Sequence, residues 1–278
     1  MSTREFEATR FEDGCLVPAR DALTEEAALH IRINGVPYMT TMRTPGEDEH
    51  LVRGLLHTES ILRDPAAPLT FRTVSDPESQ LAACLDVSVD PRHIDRTFAE
   101  RHAAVSTSSC GLCGTARPRD IEIFGPPIHL DLPERFDANR LPAMVGAMYA
   151  RQQTFDKSGG SHAAAAFTLQ GEVLANAEDI GRHNAVDKVI GALLVRKALH
   201  EAKCLLVSGR LSYEIVFKGY KAAIPIEVAV SAPSTLAVET AHRFGMTVIA
   251  FCRDGRATIY SHPGQVRVDN ADAAVHFS

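Results

Sequence analysis

The sequence predicts an α/β protein in two parts, an N-terminal α+β domain and a C-terminal domain built on a parallel or mixed sheet. Its 278 residues exceed the roughly 150 residues of an average domain, which favours two domains. Strand-like and helix-like segments alternate in the second half, a pattern typical of a sheet covered by helices on its faces. A proline-rich passage that begins at Pro126-Pro127 and ends at Pro142 marks the boundary. We therefore place the domains at 1–140 and 141–278.

The N-terminal part is expected to begin with a tail and to continue with a hairpin and a helix. The first ten residues lack a periodic apolar pattern, which predicts a flexible tail. Residues 29–42 alternate apolar and polar side chains around Asn34-Gly35, a strong signal for a two-stranded hairpin. The acidic residues 47–49 suit the N-terminus of a helix. The buried stripe of that helix contains Leu51, Val52, Leu55 and Leu56, and further strands are expected near 69–74 and 81–89.

The C-terminal part shows more regular patterns. Residues 163–169 and 173–177 predict a hairpin, and a helix follows, with Asn184 as its N-cap and Asp187 at the N3 position. The later segments alternate as strand 204–207, helix 212–222, strand 226–230, helix 236–244, strand 247–251 and, after the Asp254-Gly255 turn, strand 257–261. This alternation is the main evidence for the sheet.

Charge is distributed unevenly along the chain. The formal net charge is −6, but residues 1–139 contain 14 basic and 23 acidic side chains, whereas residues 140–278 contain 15 and 12. The basic second part mildly favours an anionic ligand, although solvated surface charge is the more common explanation. An acidic chain without tryptophan argues against a nucleic-acid groove. The charged start and the absence of a long apolar run predict a cytoplasmic protein that does not enter a membrane.

Small polar and cationic residues follow three of the predicted strands. The first strand is followed by Ser208-Gly209-Arg210, the second by Ser231, and the third ends in Phe251-Cys252-Arg253-Asp254-Gly255-Arg256. In an open α/β sheet, ligands bind beyond the carboxyl ends of the strands. Hydroxyl groups, a glycine that permits close approach and arginines suit a phosphate group. We therefore predict an anion site at this edge; the alternative is that the hydroxyls cap helices and the arginines are solvated.

Arg182 and His183 precede the helix that contains Asn184. His183 could donate a proton or contact a phosphate, but a lone histidine more often has a structural role. The sequence therefore leaves open whether these two side chains contact the ligand or hold the sheet edge together.

Among the six cysteines, only Cys110 and Cys113 are close in sequence. Cys204 and Cys252 lie in apolar strand-like runs, which predicts buried, inert thiols. A zinc site would need two further ligands at a typical spacing, and neither they nor the His-x-Glu of zinc deaminases follow, so no bound metal is predicted. The surrounding Ser/Gly-rich segment predicts an exposed loop. Sulfur relay and dithiol redox chemistry both need accessible thiolates, and both stay open on this evidence.

Four motifs, in this order, resemble the formate dehydrogenase accessory sulfurtransferase family, FdhD. They are Cys110-Gly111-Leu112-Cys113-Gly114, Glu178-Asp179-Ile180-Gly181-Arg182-His183-Asn184-Ala185-Val186-Asp187-Lys188, Leu206-Val207-Ser208-Gly209-Arg210 and Val230-Ser231-Ala232-Pro233. The resemblance extends from about Ile31 to Pro263. It departs from the family pattern at Glu47, Leu55 and Ser60, which concern local packing only.

The resemblance implies a cytoplasmic, homodimeric sulfur carrier. Such a protein takes persulfide sulfur from a cysteine desulfurase and transfers it to the molybdenum bis(molybdopterin guanine dinucleotide) cofactor of formate dehydrogenase. It implies that Cys110 carries the persulfide with Cys113 as its partner, and that residues 251–256 bind the cofactor. It also implies a three-layer C-terminal fold similar to that of cytidine deaminases, without their zinc site. Alternatives are a non-enzymatic cofactor-binding chaperone and a thiol-disulfide oxidoreductase.

Overall fold

The computed structural model describes residues 2–95, 126–128 and 134–268. Within these residues the chain combines helices with several sheets, two of which contain both parallel and antiparallel strands. The predicted mixed α/β class is thus confirmed. The predicted Cys110–Cys113 loop lies outside the described residues.

The N-terminus forms a long two-stranded ribbon rather than the predicted flexible tail. Strand β1 (Thr3–Glu12) pairs with β2 (Cys15–Thr24) in antiparallel register along its whole length. Asp13 and Gly14 both have positive φ, which closes the hairpin. The tail prediction was wrong because charged residues occupy both faces of β1, so that neither face shows an apolar pattern. Hydrogen bonding between the two backbones does not require an apolar pattern.

A four-stranded mixed sheet and one helix follow the ribbon. The sheet has the order β4-β3-β6-β5, from β3 (Ala27–Ile33), β4 (Val36–Arg43), β5 (Thr70–Ser75) and β6 (Ala82–Ser88). The predicted hairpin at Asn34-Gly35, the two later strands and helix α1 (Asp48–Thr58) are confirmed. The fully buried Arg43 binds Asp48 through two hydrogen bonds of 2.8 and 3.1 Å, which fastens the start of α1 to the sheet.

The C-terminal half contains a six-stranded sheet of order β13-β12-β11-β10-β8-β9. Its strands are β8 (His162–Phe167), β9 (Val173–Asp179), β10 (Cys204–Val207), β11 (Ile226–Ala229), β12 (Thr247–Arg253) and β13 (Arg256–Ile259). The central strands β10, β11 and β12 are parallel, whereas β8, β9 and β13 are antiparallel to their neighbours. The sheet is therefore mixed, as the sequence predicts.

Helices cover both faces of this sheet. On one face the apolar core contains residues of α4 (Arg182–Val195), α5 (Tyr213–Lys221) and α6 (Thr235–Phe244). On the other face it contains residues of α2 (Leu141–Tyr149) and Phe136 of β7 (Phe136–Asp137), which pairs with β14 (Val266–Arg267). A short helix, α3 (Gln153–Ser158), precedes β8. The arrangement is thus three layers, helix, sheet and helix.

Helix α4 begins three residues earlier than predicted. Its N-cap is Gly181, not Asn184, and the side chain of Asn184 donates to the Met42 carbonyl and to Asp179 Oδ1 at 2.8 and 3.0 Å. The carboxylate of Asp187 is 1% exposed and does not cap the helix. Both corrections have one cause, because these polar side chains contact other elements instead of their own helix terminus.

The two halves meet where α1 crosses α4 at a short distance. A Cβ atom at Gly54 would collide with the backbone of Asp187, and one at Gly191 would collide with the backbone of His50. Around this crossing, Lys188 pairs with Asp179 at 2.8 Å, and Lys218 of α5 pairs with Asp187 at 2.8 Å. Glycine is therefore required at both contact points, and buried charge pairs flank them.

Burial changes the charge state of one residue in the central sheet. Glu227 of β11 is 0% exposed and lies under Gly219 of α5. Neither of its carboxyl oxygens has a hydrogen-bond partner among the described residues. Burial raises the pKa of Glu227 well above its ordinary value, so that the side chain is held in its neutral form.

No helix within the described parts of the chain combines the length and apolar character needed to cross a membrane. The division into domains after residue 140 stays a prediction.

We expect Gly54→Ala and Gly191→Ala each to destabilise the protein by about 1–3 kcal/mol, because the added methyl group forces the α1 and α4 backbones apart. Gly146→Ala in α2 is the matched control, since nothing lies within 4 Å of its Cβ position. The control should be neutral or more stable by about 0.5–1 kcal/mol, the usual preference for alanine in helices. Urea unfolding of the three variants measures this; equal effects at all three positions would contradict the close crossing.

Candidate functional site

The strand-end residues predicted to bind a ligand lie together at the carboxyl ends of β10, β11 and β12, which we call the ligand edge after that prediction. Because these strands are parallel, Ser208, Ser231 and Phe251 all lie at the same end of the strands. Strand β8 runs the opposite way, so its first residue, His162, lies at this edge too. The Ala163 N–H donates to Ser208 Oγ at 2.9 Å, and the Ser208 N–H donates to the Ala163 carbonyl at 3.0 Å. Ser208 thus joins two strands in addition to lining the edge.

Gly209 lies against two side chains of the edge. A Cβ atom at this position would stand 3.2 Å from His162 Nδ1 and 3.8 Å from Arg182 Cβ. A larger residue would therefore push into the histidine ring. The sequence predicts that this glycine permits close approach of a ligand; the structure shows that the His162 ring also limits the space at this position.

A neutral histidine lies among cationic side chains at this edge. Burial lowers the pKa of His162, and the positive charges of Arg182 and His183 lower it further, with a smaller contribution from Arg210. Asp179 opposes this effect. The edge therefore has a positive potential together with an uncharged imidazole, which suits an anionic ligand. His162 was missed at the sequence level, because only the antiparallel pairing of β8 with β10 brings it here.

Arg182 and His183 have different partners, although they are neighbours in sequence. His183 Nε2 lies 3.0 Å from Glu214 Oε2 of α5, a contact that connects two helices. Arg182 Nε is inaccessible to solvent and has no hydrogen-bond partner among the described residues. An unsatisfied guanidinium nitrogen at a helix N-terminus is suited to bind an anion. His183 Nε2 is likewise inaccessible and makes no hydrogen bond within the described residues, so both side chains stay candidates for ligand contact.

The segment 251–256 forms a hairpin that projects beyond the sheet edge. Phe251 has a φ of 54°, a conformation that bulky residues rarely adopt, and its N–H donates to the Ser231 carbonyl at 3.1 Å. Asp254 and Gly255 also have positive φ and form the predicted turn between Arg253 and Arg256. Arg253, Asp254, Gly255 and Arg256 are exposed, so both arginines can reach a bound ligand.

Cys252 faces away from the other side chains of this hairpin. It is 4% exposed and belongs to the apolar core, and burial raises the pKa of its thiol. Cys204 is likewise fully buried with a raised thiol pKa, again through burial. The prediction that both thiols are buried is confirmed. Cys252 can therefore contribute to a ligand site only through its backbone.

Tyr149, at the end of α2, is a second residue that sequence reasoning missed. Its side chain is 42% exposed, and burial of the remainder raises its pKa. Residues 252–254 of the hairpin also influence this pKa, which places the phenol beside the hairpin. An aromatic ring beside arginines is suited to stack on a planar heterocycle. No sequence pattern connects α2 with β12, so only the fold reveals the pair.

A cavity of about 120 Å³ lies between the two halves of the protein and adjoins the ligand edge. His183 and Glu214 line it on the side of the edge, and the buried pair Asp187 and Lys218 lies deeper. Burial alone would lower the pKa of Lys218, but Asp187 and Glu59 outweigh it and raise this pKa. Thr58 donates to Asp187 Oδ1 at 2.8 Å and completes the network. The lysine is therefore charged and held by its partners.

Within the described residues, no group of three or more His, Cys, Asp or Glu side chains is arranged to hold a metal ion. The structure brings together Arg182, His183, Ser208, Gly209 and Arg210, and it places Ser231 and Phe251 next to them. Arg253, Asp254, Gly255 and Arg256 extend from this edge on the hairpin. Cys110 and Cys113, the predicted catalytic pair, lie outside the described residues.

These features define a three-layer α/β protein with several arginines at the ends of its parallel strands. The chain belongs to the FdhD/NarQ family, whose sequence model matches residues 24–267. The family expectation from the sequence motifs is thereby confirmed.

Relatives and a solved structure agree with this membership. The sulfur carrier protein FdhD of Streptomyces avermitilis is 36% identical over 276 residues and is covered to 98%, as is this chain. The protein of the same name from Sulfolobus acidocaldarius is 34% identical, with 96% of this chain and 99% of the relative covered. A crystal structure from Desulfotalea psychrophila, provisionally assigned as a formate dehydrogenase accessory protein, has a TM-score of 0.73 at 19% identity. It covers 96% of this chain and 100% of its own, which shows a shared fold.

We expect Arg182→Gln and Arg210→Gln to raise the pKa of His162, because each substitution removes a positive charge that disfavours the imidazolium form. Arg196→Gln at the far end of α4 is the control and should leave the titration unchanged. An NMR titration of the His162 ring resonances measures the shift. An unchanged titration midpoint in both edge variants would show that the charges of Arg182 and Arg210 do not act on His162.

Proposed function

We propose that this protein is a sulfur carrier for the maturation of formate dehydrogenase. The observation that carries the proposal is its membership of a family whose curated relatives, named sulfur carrier proteins, match it over nearly the whole chain. The sequence supplies a thiol pair for this role, Cys110 and Cys113. The cationic strand-end edge supplies a place for an anionic cargo.

The proposed first step is sulfur transfer from a cysteine desulfurase. The Cys110 thiolate attacks the outer sulfur of the donor's persulfide. A new S–S bond forms at Cys110 as the donor's S–S bond breaks, and the donor leaves as a thiolate. The transfer leaves oxidation levels unchanged overall, because one persulfide replaces another. Cys110 thereby acts as the nucleophile.

Cys113 has two possible parts in the delivery of sulfur. It can take over the outer sulfur by the same exchange, which leaves Cys110 as a thiolate. Alternatively, its thiolate attacks the inner sulfur at Cys110, which forms a Cys110–Cys113 disulfide and releases the outer sulfur as hydrosulfide. The second course needs a cellular thiol to reduce the disulfide before the next cycle.

The proposed acceptor is the molybdenum bis(molybdopterin guanine dinucleotide) cofactor, bound as a substrate. Its diphosphate groups are anionic, and Arg182, Arg210, Arg253 and Arg256 provide cationic contacts along one edge. The ring of Tyr149 lies beside the hairpin where a guanine base could stack. We further propose that the carrier acts as a cytoplasmic homodimer and hands the cofactor to formate dehydrogenase.

We expect Cys110→Ala to abolish activation of formate dehydrogenase while leaving cofactor affinity unchanged, because the substitution removes the nucleophile but no residue of the strand-end edge. Cys15→Ala is the control, since Cys15 is an exposed thiol on the N-terminal ribbon. Mass spectrometry after incubation with desulfurase and cysteine should show one added sulfur atom on the Cys110 peptide.

Other outcomes of this measurement select other functions. Loss of two hydrogen atoms without added sulfur would identify a thiol-disulfide oxidoreductase. Full activation by Cys110→Ala would instead identify a cofactor-binding chaperone whose thiols are incidental.

We expect Arg253→Ala and Arg256→Ala each to weaken binding of guanosine diphosphate about tenfold. A charge-assisted hydrogen bond contributes about 1.5–3 kcal/mol, and about 1.4 kcal/mol corresponds to a tenfold change. Arg10→Ala on the N-terminal ribbon is the matched control. Calorimetry measures the affinities, and unchanged values in both hairpin variants would move the nucleotide site away from this hairpin.

A further inference from the structure

A second cationic surface lies at the opposite end of the C-terminal sheet. Helices α4 and α5 start at the ligand edge and end here, and strand β10 starts here. The surface is a groove of about 900 Å³, which we call the basic groove. Its positively charged lining residues are Arg53, Lys197, Lys203 and Lys221, with His57 and His200 beside them.

The lining of the basic groove has an excess of positive charge. No lining residue is an aspartate or a glutamate. Over the described ranges, Arg53, Lys197 and Lys203 form no salt bridge; Lys203 donates to the His200 carbonyl at 2.9 Å, and Arg53 stands over the Phe71 ring. The chain has six lysines, of which Lys188 and Lys218 form buried ion pairs. Half of all the lysines therefore line this one groove.

The floor of the basic groove is apolar. It is formed by Leu69, Leu194, Val195 and Leu199 together with prolines and alanines, and the side chain of Val195 is 51% exposed. Helices α4 and α5 present their C-terminal ends here, whose partial negative charge disfavours a phosphate group. Cations around an apolar floor are instead complementary to a protein segment with both carboxylates and apolar side chains.

The described residues that flank residues 96–125 are bound to elements that also contribute to the groove lining or precede it closely in sequence. On one side the Asp95 N–H donates to the Ile61 carbonyl at 2.9 Å, close to lining residues 65–69. On the other side Tyr220 Oη donates to the Pro126 carbonyl at 3.0 Å, next to Lys221. Residues 95 and 126, which flank the stretch that contains the two thiols in sequence, are therefore attached to elements close in sequence to the groove lining.

We propose that the basic groove docks an acidic, partly apolar segment of the protein that donates sulfur. This inference rests on the proposed sulfur-carrier function and names the surface that the donor recognises. The groove itself takes part in no bond-making step. Its cations attract the donor's carboxylates and raise the association rate, and the apolar floor adds contact area.

The test compares charge-reversed variants of the full-length protein. Lys197→Glu, at an exposed position, and the double variant Lys197→Glu/Lys203→Glu are compared with Arg10→Glu/Lys157→Glu, which has the same net charge as the double variant but changes positions outside the groove. Binding of each to a cysteine desulfurase is measured by biolayer interferometry at low and at physiological ionic strength. Sulfur loading of Cys110 is measured separately from the desulfurase and from inorganic polysulfide.

The expected result is a loss of desulfurase affinity of about tenfold or more in the double variant at low ionic strength, with a smaller loss in Lys197→Glu. The difference in affinity between the wild-type protein and the groove variants should shrink as the Debye length falls from about 30 Å at 0.01 M salt to about 8 Å at 0.15 M. Loading from polysulfide should be unchanged, which shows that the thiols still react, and an unchanged urea unfolding midpoint shows that the variants are folded.

Other results overturn the proposal in distinguishable ways. If the groove variants bind like the wild-type protein, or if the control pair loses as much affinity, the docking surface lies elsewhere. If inorganic phosphate blocks binding more than chloride at equal ionic strength, the groove is a phosphate site. If the wild-type protein binds the desulfurase but Cys110 gains sulfur from neither source, the proposed function fails and the groove serves another interaction.

Discussion

The close crossing of α1 and α4 is the contact on which the rest of the structure depends. Gly54 and Gly191 allow the two backbones to touch, and no other residue type fits at either point. The crossing joins the N-terminal sheet to the C-terminal one. It also fixes the direction of α4, whose first residues, Arg182 and His183, reach the ligand edge. A helix displaced by the width of a methyl group would move those side chains relative to Gly209.

Buried charge pairs give this crossing its specificity. Asp179 holds Lys188 and also accepts from the Thr44 N–H at 3.1 Å, while Asp187 holds Lys218 and accepts from Thr58. Such pairs contribute little net stability, because desolvation offsets the attraction between the charges. Loss of one partner is nevertheless costly, since it leaves a charge buried and unpaired. The pairs therefore select one arrangement of the two halves rather than simply strengthen it.

The motif from Glu178 to Lys188 thus has two tasks at once. Asp179, Asp187 and Lys188 connect the halves of the protein, whereas Arg182 lies at the strand ends with its Nε atom unpaired among the described residues. Helices α4 and α5 then extend from this edge to the basic groove at the opposite end. Cargo binding and partner docking can accordingly occupy separate surfaces, held at a fixed distance by the same two helices.

The sequence by itself determined the class of fold, most strand and helix positions, the family and the residues of the strand-end loops. These follow from local patterns: alternation for the hairpin at Asn34, apolar periodicity for α1, and the order of short motifs. The tertiary structure decided which side chains meet. His162 and Tyr149 join the site through strand pairing and helix packing, and Asn184 and Asp187 contact other elements instead of capping α4. Such contacts join residues far apart in the chain, and a local pattern has no information about them, because burial and charge act through space rather than along the sequence.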